Sequence, residues 1–395
     1  MWLFALLACG SEDPVQADID FLTADRLEEA TLRLTEVGPR IPGTPGEEAA
    51  AGEVEAMFRD GGLTATRAPF QWDVWMTGPA TITVGDRVFS AEPIGPSRSV
   101  SNFQTALSSE GASGEAALWF SSDGGLFGQY LSSMFGGSSA MIRSTDVLDY
   151  DGGQLVEAGY GLSGNSLPAV AVDQETGLAL AALAGEKVTF NIDTSIVPDH
   201  ISYNVVAKVE GEIDVPVFVV GHYDSLHLSE SAYDNALGVA AMTLFASQVQ
   251  QGKKPRYDVY FIATSGLEQG LVGSQAWVEQ NAALVDSGHL VLALDGLWSS
   301  EGPFFVEASD PEMRKRVVTA AQEEGIVDVV EEPSVRLGSD HAPFMGHGVP
   351  ALICGRWEDR HYHTANDTVE YIDFEMAAAA MRSQWKILAE ELEID

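Results

Sequence analysis

Apolar and polar positions along this chain follow two different rhythms, and the change between them divides it. From Asp18 to Val37 the residues Leu27, Ala30, Leu34 and Val37 recur at spacings of three and four, which predicts a helix. The stretch Gly38–Gly46, rich in glycine and proline, ends that helix as a rigid loop. Glu47–Asp60 reads as a second helix with an acidic first turn, and Gly61-Gly62 stops it. From about Trp72 to Thr194 short β-like runs alternate with glycine and serine clusters: Ala80–Val84, Ala116–Phe120, Ala140–Arg143, Ala169–Val172 and Lys187–Ile192. One helix stands out there, near Gly177–Leu183. After Ser202–Val209 the pattern becomes regular. Strands are predicted at Val217–Val220, Asp258–Thr264, Leu290–Leu294, Phe304–Val306 and Ala351–Ile353. Helices are predicted at Asn235–Gln250, Leu271–Val285, Pro311–Glu324 and Phe374–Leu392, with a frayed, solvated end over Glu390–Asp395. This alternation predicts an α/β fold: a mixed, mostly parallel central sheet with helices on both faces, plus an inserted β-rich domain. The expected divisions are a leader and tether over 1–17, N-terminal helices over 18–71, the insert over 72–197 and the main domain over 198–395.

Composition adds bounds. The 395 residues exceed one average domain, and 45% hydrophobic content fills a sizeable core. Twenty-one Lys and Arg against 59 Asp and Glu give a net charge of −38, which repels nucleic acid and anionic membranes and reads as a solvated surface. Of the two cysteines, Cys354 lies in the apolar run Pro350–Cys354 and is expected in the core; neither has a neighbour for a C-x-x-C site. The apolar run Trp2–Gly10 is too short to span a bilayer. Its end, Leu6-Leu7-Ala8-Cys9, resembles a bacterial lipoprotein processing box. That resemblance implies lipidation at Cys9, a polar tether over Ser11–Asp18, and a place in the bacterial cell envelope, lipid-anchored, periplasmic or extracellular. No Lys or Arg precedes the run, so an ordinary apolar tip is the competing reading.

The chemistry concentrates around Val217–Gln248, where a strand delivers His222 and Asp224 and the following helix start delivers Asp234. Glu268 follows the next predicted strand, Asp295 ends the one after, and His363 follows the last. In an open α/β sheet these positions share the rim at which ligands bind. Two imidazoles and three carboxylates suit two zinc ions, one carboxylate bridging and each metal keeping a His and a carboxylate of its own. Asp224, two residues after His222, is positioned to hold that ring's other nitrogen.

Together the segments Gly221–Ser225, Ala232–Val239, Glu268–Ser274, Leu294-Asp295, Gly338–Phe344 and His363-Thr364 resemble the co-catalytic di-zinc aminopeptidases, whose fold also serves the glutaminyl cyclases. Gly38–Glu48 is similar to that family's N-terminal segment, and Leu167–Val172 resembles the protease-associated domain inserted in several peptidase families, a domain suggested to gate substrate or make protein contacts. The resemblance implies two zinc ions, with His222 and Asp295 on one, Glu268 and His363 on the other, and Asp234 between them. It implies that Asp340-His341 shape the site without binding metal. Retention of both ligand sets and the absence of an insertion after the acidic motif favour the peptidase branch over the cyclases. The implied activity is that of an exported zinc aminopeptidase-like hydrolase releasing N-terminal residues from peptides. One position departs. Where the family places a general base next to the zinc-binding Glu268, this chain has Leu267, which accepts no proton. A positioned base contributes about 10²–10⁴-fold. Three expectations follow: a slow hydrolase, a hydrolase using another base such as His227, Glu230 or Asp340, or an inactive relative that binds zinc or a peptide.

Overall fold

The computed structural model describes residues 21–394 except 96, 110, 112, 121–125, 145–166, 228, 358 and 360. Cys9 and the N-terminal tether lie outside the described residues, as does the predicted start of the first helix at Asp18.

The first helix runs over Ala24–Thr35, where the Thr23 hydroxyl caps it by accepting from Arg26 N–H, and Leu27, Ala30 and Leu34 are buried as their spacing requires. The second starts at Pro45, two residues earlier than expected, because Thr44 caps it and Pro45 supplies a preset first turn. Six strands follow: β1 (Ala65–Val84), β2 (Arg87–Pro93), β3 (Val100–Ser108), β4 (Ala116–Phe120), β5 (Ala140–Ser144) and β6 (Ala169–Val172). Next come β7 (Lys187–Val209), β8 (Ile213–His222), β9 (Tyr257–Thr264), β10 (Leu290–Ala293), β11 (Phe304–Ala308), β12 (Val329–Glu332) and β13 (Ala351–Gly355). Hydrogen bonds link them into one 13-stranded sheet, order β1-β2-β6-β5-β4-β3-β7-β9-β8-β10-β13-β11-β12, with β1 pairing also with β7.

That extra pairing closes β1 through β7 into a ring around its own core of Ile82, Leu118, Ile142, Val170 and Phe190. The remaining sheet is mixed. Its centre, β9-β8-β10-β13, is parallel, whereas β7 joins β9 and β11 joins β13 antiparallel. Side chains alternate across it. Val217 and Val219 pack toward the helices Ala24–Thr35, Leu237–Gln251 and Phe374–Glu391, while Phe218 and Val220 pack on the other face against Trp277 and Phe344. The fold is thus the expected α/β type, with a large mixed sheet flanked by helices.

Several expectations need correction. β1 and β7 are strands of 20 and 23 residues that run unbroken from the main sheet into the ring. The divisions near 72 and 197 therefore fall inside strands, where Trp72 pairs with His200 and Val74 with Val197. Much of this ribbon is exposed, so no continuous apolar run marked it. The strands β2, β3 and β12 and the helix Leu126–Phe135 had no distinct sequence signal, and the helix expected over Leu271–Val285 is broken at Asn281 into Val272–Gln280 and Ala282–Val285. The described part of the Glu390–Asp395 stretch is not a frayed tip. Leu392 and Ile394 are buried, Arg256 N–H donates to the Leu392 carbonyl, and Ile394 N–H donates to that of Ala389. Among the described residues no helix is long and apolar enough to cross a membrane.

Candidate metal centre

The carboxyl ends of β8, β9, β10 and β13 lie side by side, with His222 paired to Thr264 and Ala293 paired to both Val220 and Ile353. His222 is the last residue of β8. Glu268 follows β9 through the turn Ser265–Leu267, Asp295 lies two residues beyond β10, and His363 lies in the loop after β13. Asp234 arrives differently from expectation. Asp234 (φ −120°, ψ 83°) and Asn235 (φ −143°, ψ 39°) are non-helical, and the helix proper starts at Leu237. The Asp234-Asn235 peptide bond is cis. Asn235 fixes this turn: its Nδ2 donates to the Leu294 carbonyl at 2.8 Å, and its Oδ1 accepts from Gly238 N–H at 3.2 Å. Gly238 is required there, since a Cβ would lie 2.3 Å from the Leu294 carbonyl oxygen.

The five side chains converge. His222 Nε2 is 3.1 Å from Asp234 Oδ1 and 3.8 Å from Asp295 Oδ1. His363 Nε2 is 3.2 Å from Asp234 Oδ2 and 3.5 Å from Glu268 Oε2. Asp234 therefore turns one oxygen to each imidazole, and two clusters share it, His222-Asp234-Asp295 and Asp234-Glu268-His363. Two ligands about 2.05 Å from one tetrahedral ion lie about 3.3 Å apart. The separations scatter around that figure, so the donor set fits zinc in both halves.

The electrostatics point the same way. Burial raises the Glu268 carboxyl well above its ordinary value, and neighbouring Asp234 adds to the rise; Glu268 Oε1 is buried with no hydrogen-bond partner among the described residues. Burial also opposes ionisation of Asp234, yet hydrogen bonds to His222 and His363 hold it well below the carboxylate range. Burial works against charge on His222, but Asp224, Asp234 and Asp295 together hold its pKa well above the ordinary imidazole value. A buried pocket with this excess of carboxylates calls for cations.

Asp224 sits behind His222. Nδ1 is 3.2 Å from the Asp224 carbonyl oxygen and 3.4 Å from its Oδ1, so Nδ1–H donates there and Nε2 faces the centre. The same carboxylate accepts from Leu267 N–H and Glu268 N–H, both at 3.2 Å, which ties the Glu268 turn to the His222 strand. Leu267 is half-buried in that turn. Of the three substitute bases weighed from sequence, His227 Nε2 pairs with Glu92 Oε2 of β2 at 3.0 Å, Glu230 is exposed, and Asp340 is buried. Burial pushes the Asp340 carboxyl up to about 6, and its Oδ2 accepts from the Thr264 hydroxyl at 2.7 Å. His341 is likewise buried and donates from Nε2 to the Arg336 carbonyl at 2.7 Å.

Three supporting residues escaped the sequence. Arg40 is fully buried, and its guanidinium donates to the carbonyls of Tyr223 at 2.6 Å, Glu230 at 2.7 Å and Ser231 at 3.0 Å, pinning the loop that leads to Asp234. Burial lowers its pKa to about 10, against the opposing pull of Asp367, Asp224, Asp234 and Glu268, so it stays charged at neutrality. Glu47 accepts from the Ser265 hydroxyl at 2.6 Å and from Gly43 N–H at 2.8 Å. Asp367 accepts from Tyr233 N–H at 2.7 Å and Asp234 N–H at 3.1 Å. Arg40 was visible only as a lone cation inside the Gly38–Gly46 loop.

Comparisons with known proteins give a family likeness and a shared fold. Residues 204–388 match the model of Peptidase family M28. The matched segment contains all five of the clustered side chains. Over 241 residues the chain is 28% identical to Aminopeptidase YwaD of Bacillus subtilis, a match covering 56% of this chain and 51% of that protein. It is also 28% identical over 217 residues to the probable glutamate carboxypeptidase VP8 of Zea mays, covering 48% of this chain and 30% of the relative. The matches thus span about half or less of these curated relatives. The solved structure of BSAP, a zinc aminopeptidase from Bacillus subtilis, superposes with TM-score 0.75 at 21% identity over 93% of this chain and 95% of that one, which shows a shared fold.

Proposed function

We propose that the chain is a zinc-dependent aminopeptidase-like hydrolase acting on peptides. The observation that carries this reading is Asp234, whose two oxygens lie 3.1 Å and 3.2 Å from the Nε2 atoms of His222 and His363. In it, His222 and Asp295 hold one zinc ion, Glu268 and His363 hold a second, and Asp234 is shared. Zinc bound there would polarise the scissile carbonyl and acidify the attacking water. The chain's own residues do the rest. Asp224 keeps the His222 ring in the tautomer that turns Nε2 inward, and it fixes the turn carrying Glu268. Arg40 and Asp367 hold the approach to Asp234 from both sides. A cavity of about 230 Å³, bounded by Tyr233, Asp234, Asp295, Arg336, Trp357 and Tyr362, opens on the centre and gives a peptide end room to enter.

Leu267 favours a second reading, an inactive relative that keeps the cage. The decisive assay loads the purified protein with zinc and measures turnover of aminoacyl amides by the natural protein and by Leu267→Glu. Slow natural turnover raised about 10²–10⁴-fold in the variant supports the hydrolase without a full base. No natural turnover, with activity only in the variant, refutes the enzyme reading. Natural turnover unaltered by the substitution means that another group takes the proton. An envelope location through Cys9 and a protease-associated role for the β-ring remain parts of this proposal; the first rests on Leu6–Cys9 and the second on Leu167–Val172.

A further inference from the structure

The cleft beside the metal centre has one cationic wall. Arg336 lines it together with Asp234, Asp295 and Trp357, in a chain with only 21 Lys and Arg among 395 residues. Exposed arginines are ordinarily loose, but this one is fixed from several directions. Its backbone N–H donates to Glu307 Oε2 at 2.6 Å and its Nε donates to Glu307 Oε1 at 2.8 Å. Its carbonyl accepts from His341 Nε2 at 2.7 Å. Its guanidinium carbon lies 3.6 Å from the centroid of the Trp357 ring, and that ring stacks in turn on Phe305. Glu307 is buried, and it sits on β11 next to the strand that leads to Trp357. The anchoring uses Nε and the face of the guanidinium. The terminal nitrogens Nη1 and Nη2 have no partner among the described residues, and the side chain is 41% exposed.

We propose that Arg336 receives a substrate carboxylate in this cleft, so that the chain prefers short peptides bearing an anionic group near the bond cleaved. This rests on the hydrolase reading above. A planar fork held in one orientation matches a carboxylate with two parallel N–H donors, and little side-chain entropy is left to lose on binding. The carboxylate can come from an acidic side chain or from the free C-terminus of a dipeptide. Both offer the same chemistry, and paired substrates separate them.

The test uses the zinc-loaded full chain and compares kcat/KM within two pairs: a dipeptide against its C-terminal amide, and an N-terminal Glu peptide against its Gln counterpart. The natural protein is expected to favour the anionic member of at least one pair by about 10- to 100-fold, as hydrogen bonds to a charged group warrant. The pair that shows the preference identifies the source of the carboxylate. Arg336→Gln should reduce that ratio to below about threefold, and Arg336→Lys should retain part of it. In parallel, calorimetry measures binding of a non-cleavable reduced-bond dipeptide and its amide. Absence of turnover with a preserved, Arg336-dependent binding preference would refute the hydrolase reading and keep this one. No preference in either pair, or a preference that Arg336→Gln leaves intact, overturns the proposal, as does an equal fall for both members of a pair.

Discussion

Replacing Arg40 by Ala removes three guanidinium hydrogen bonds, to the carbonyls of Tyr223, Glu230 and Ser231. Hydrogen bonds to a charged group contribute about 1.5–3 kcal/mol each. The gross loss is therefore about 4.5–9 kcal/mol by the same figure. Two effects offset it. The variant no longer carries the penalty of burying a charge, and water can enter the vacated space to reach some of the carbonyls. A net destabilisation of about 3–5 kcal/mol remains, the lower part of the range for leaving three carbonyls unpaired at about 1–3 kcal/mol each. The loop is not wholly released, because Arg40 N–H still donates to Ser225 Oγ and Ser225 N–H to the Arg40 carbonyl. Movement should concentrate at Glu230-Ser231, next to the turn carrying Asp234. Urea unfolding followed by tryptophan fluorescence measures the first effect, and competition with a zinc chelator measures the second. Arg40→Lys serves as a control: it keeps the charge, but one ammonium cannot reproduce a fork with three separate donors, so it should recover less than half of the loss. A loss below about 1 kcal/mol together with unchanged zinc affinity would refute the reasoning, since a loop that tolerates unpaired buried carbonyls is not held by Arg40.

Asp234→Ala should lower zinc content from the proposed two ions per chain to one or none by elemental analysis, and should remove most of any rise in melting temperature that added zinc gives the natural protein; unchanged content contradicts the shared-carboxylate reading. The Glu391 carboxyl is held below its ordinary value of 4.5, first by the His289 hydrogen bond and then, against burial, by Arg316. A depressed carboxyl stabilises above its unfolded pKa and loses that contribution as pH falls through the folded one, so Glu391→Gln should destabilise at pH 7 and make little difference well below pH 4.5. Ile394→Ala should cost about 2 kcal/mol in urea unfolding because Ile394 is buried; a neutral result would restore the frayed-end expectation.

His222, Glu268 and Asp295 were legible in the sequence because they lie within a few residues of a strand end, and Asp234 and His363 because they lie in the polar segments after strands whose apolar runs, in a sheet covered on both faces, are plain. Val217–Val220 and Ala351–Ile353 read as strands for that reason, and the turn residues after them had to meet on one rim. The conformation of Asp234-Asn235 was not legible, since helical periodicity downstream of Leu237 extends by eye through residues that do not obey it. The continuity of the long β1–β7 ribbon was hidden for a different reason: its ends are buried in two separate cores, and the exposed stretch between them, around Ser195–Asp199, has no core to impose an apolar pattern. The supports of the site were hidden by distance along the chain. Arg40 meets Tyr223 across 183 residues and Glu47 meets Ser265 across 218. Local sequence carries no trace of such contacts, because a buried arginine looks like an exposed one until folding removes its water. The same holds for the buried end Leu392–Ile394 and for Arg336, whose place on the cleft follows only from how β11 and β13 pair. The chain's own letters determined which groups could bind metal and on which rim. Tertiary packing alone decided how they are held, which cation faces the cleft, and how Leu392 and Ile394 are buried.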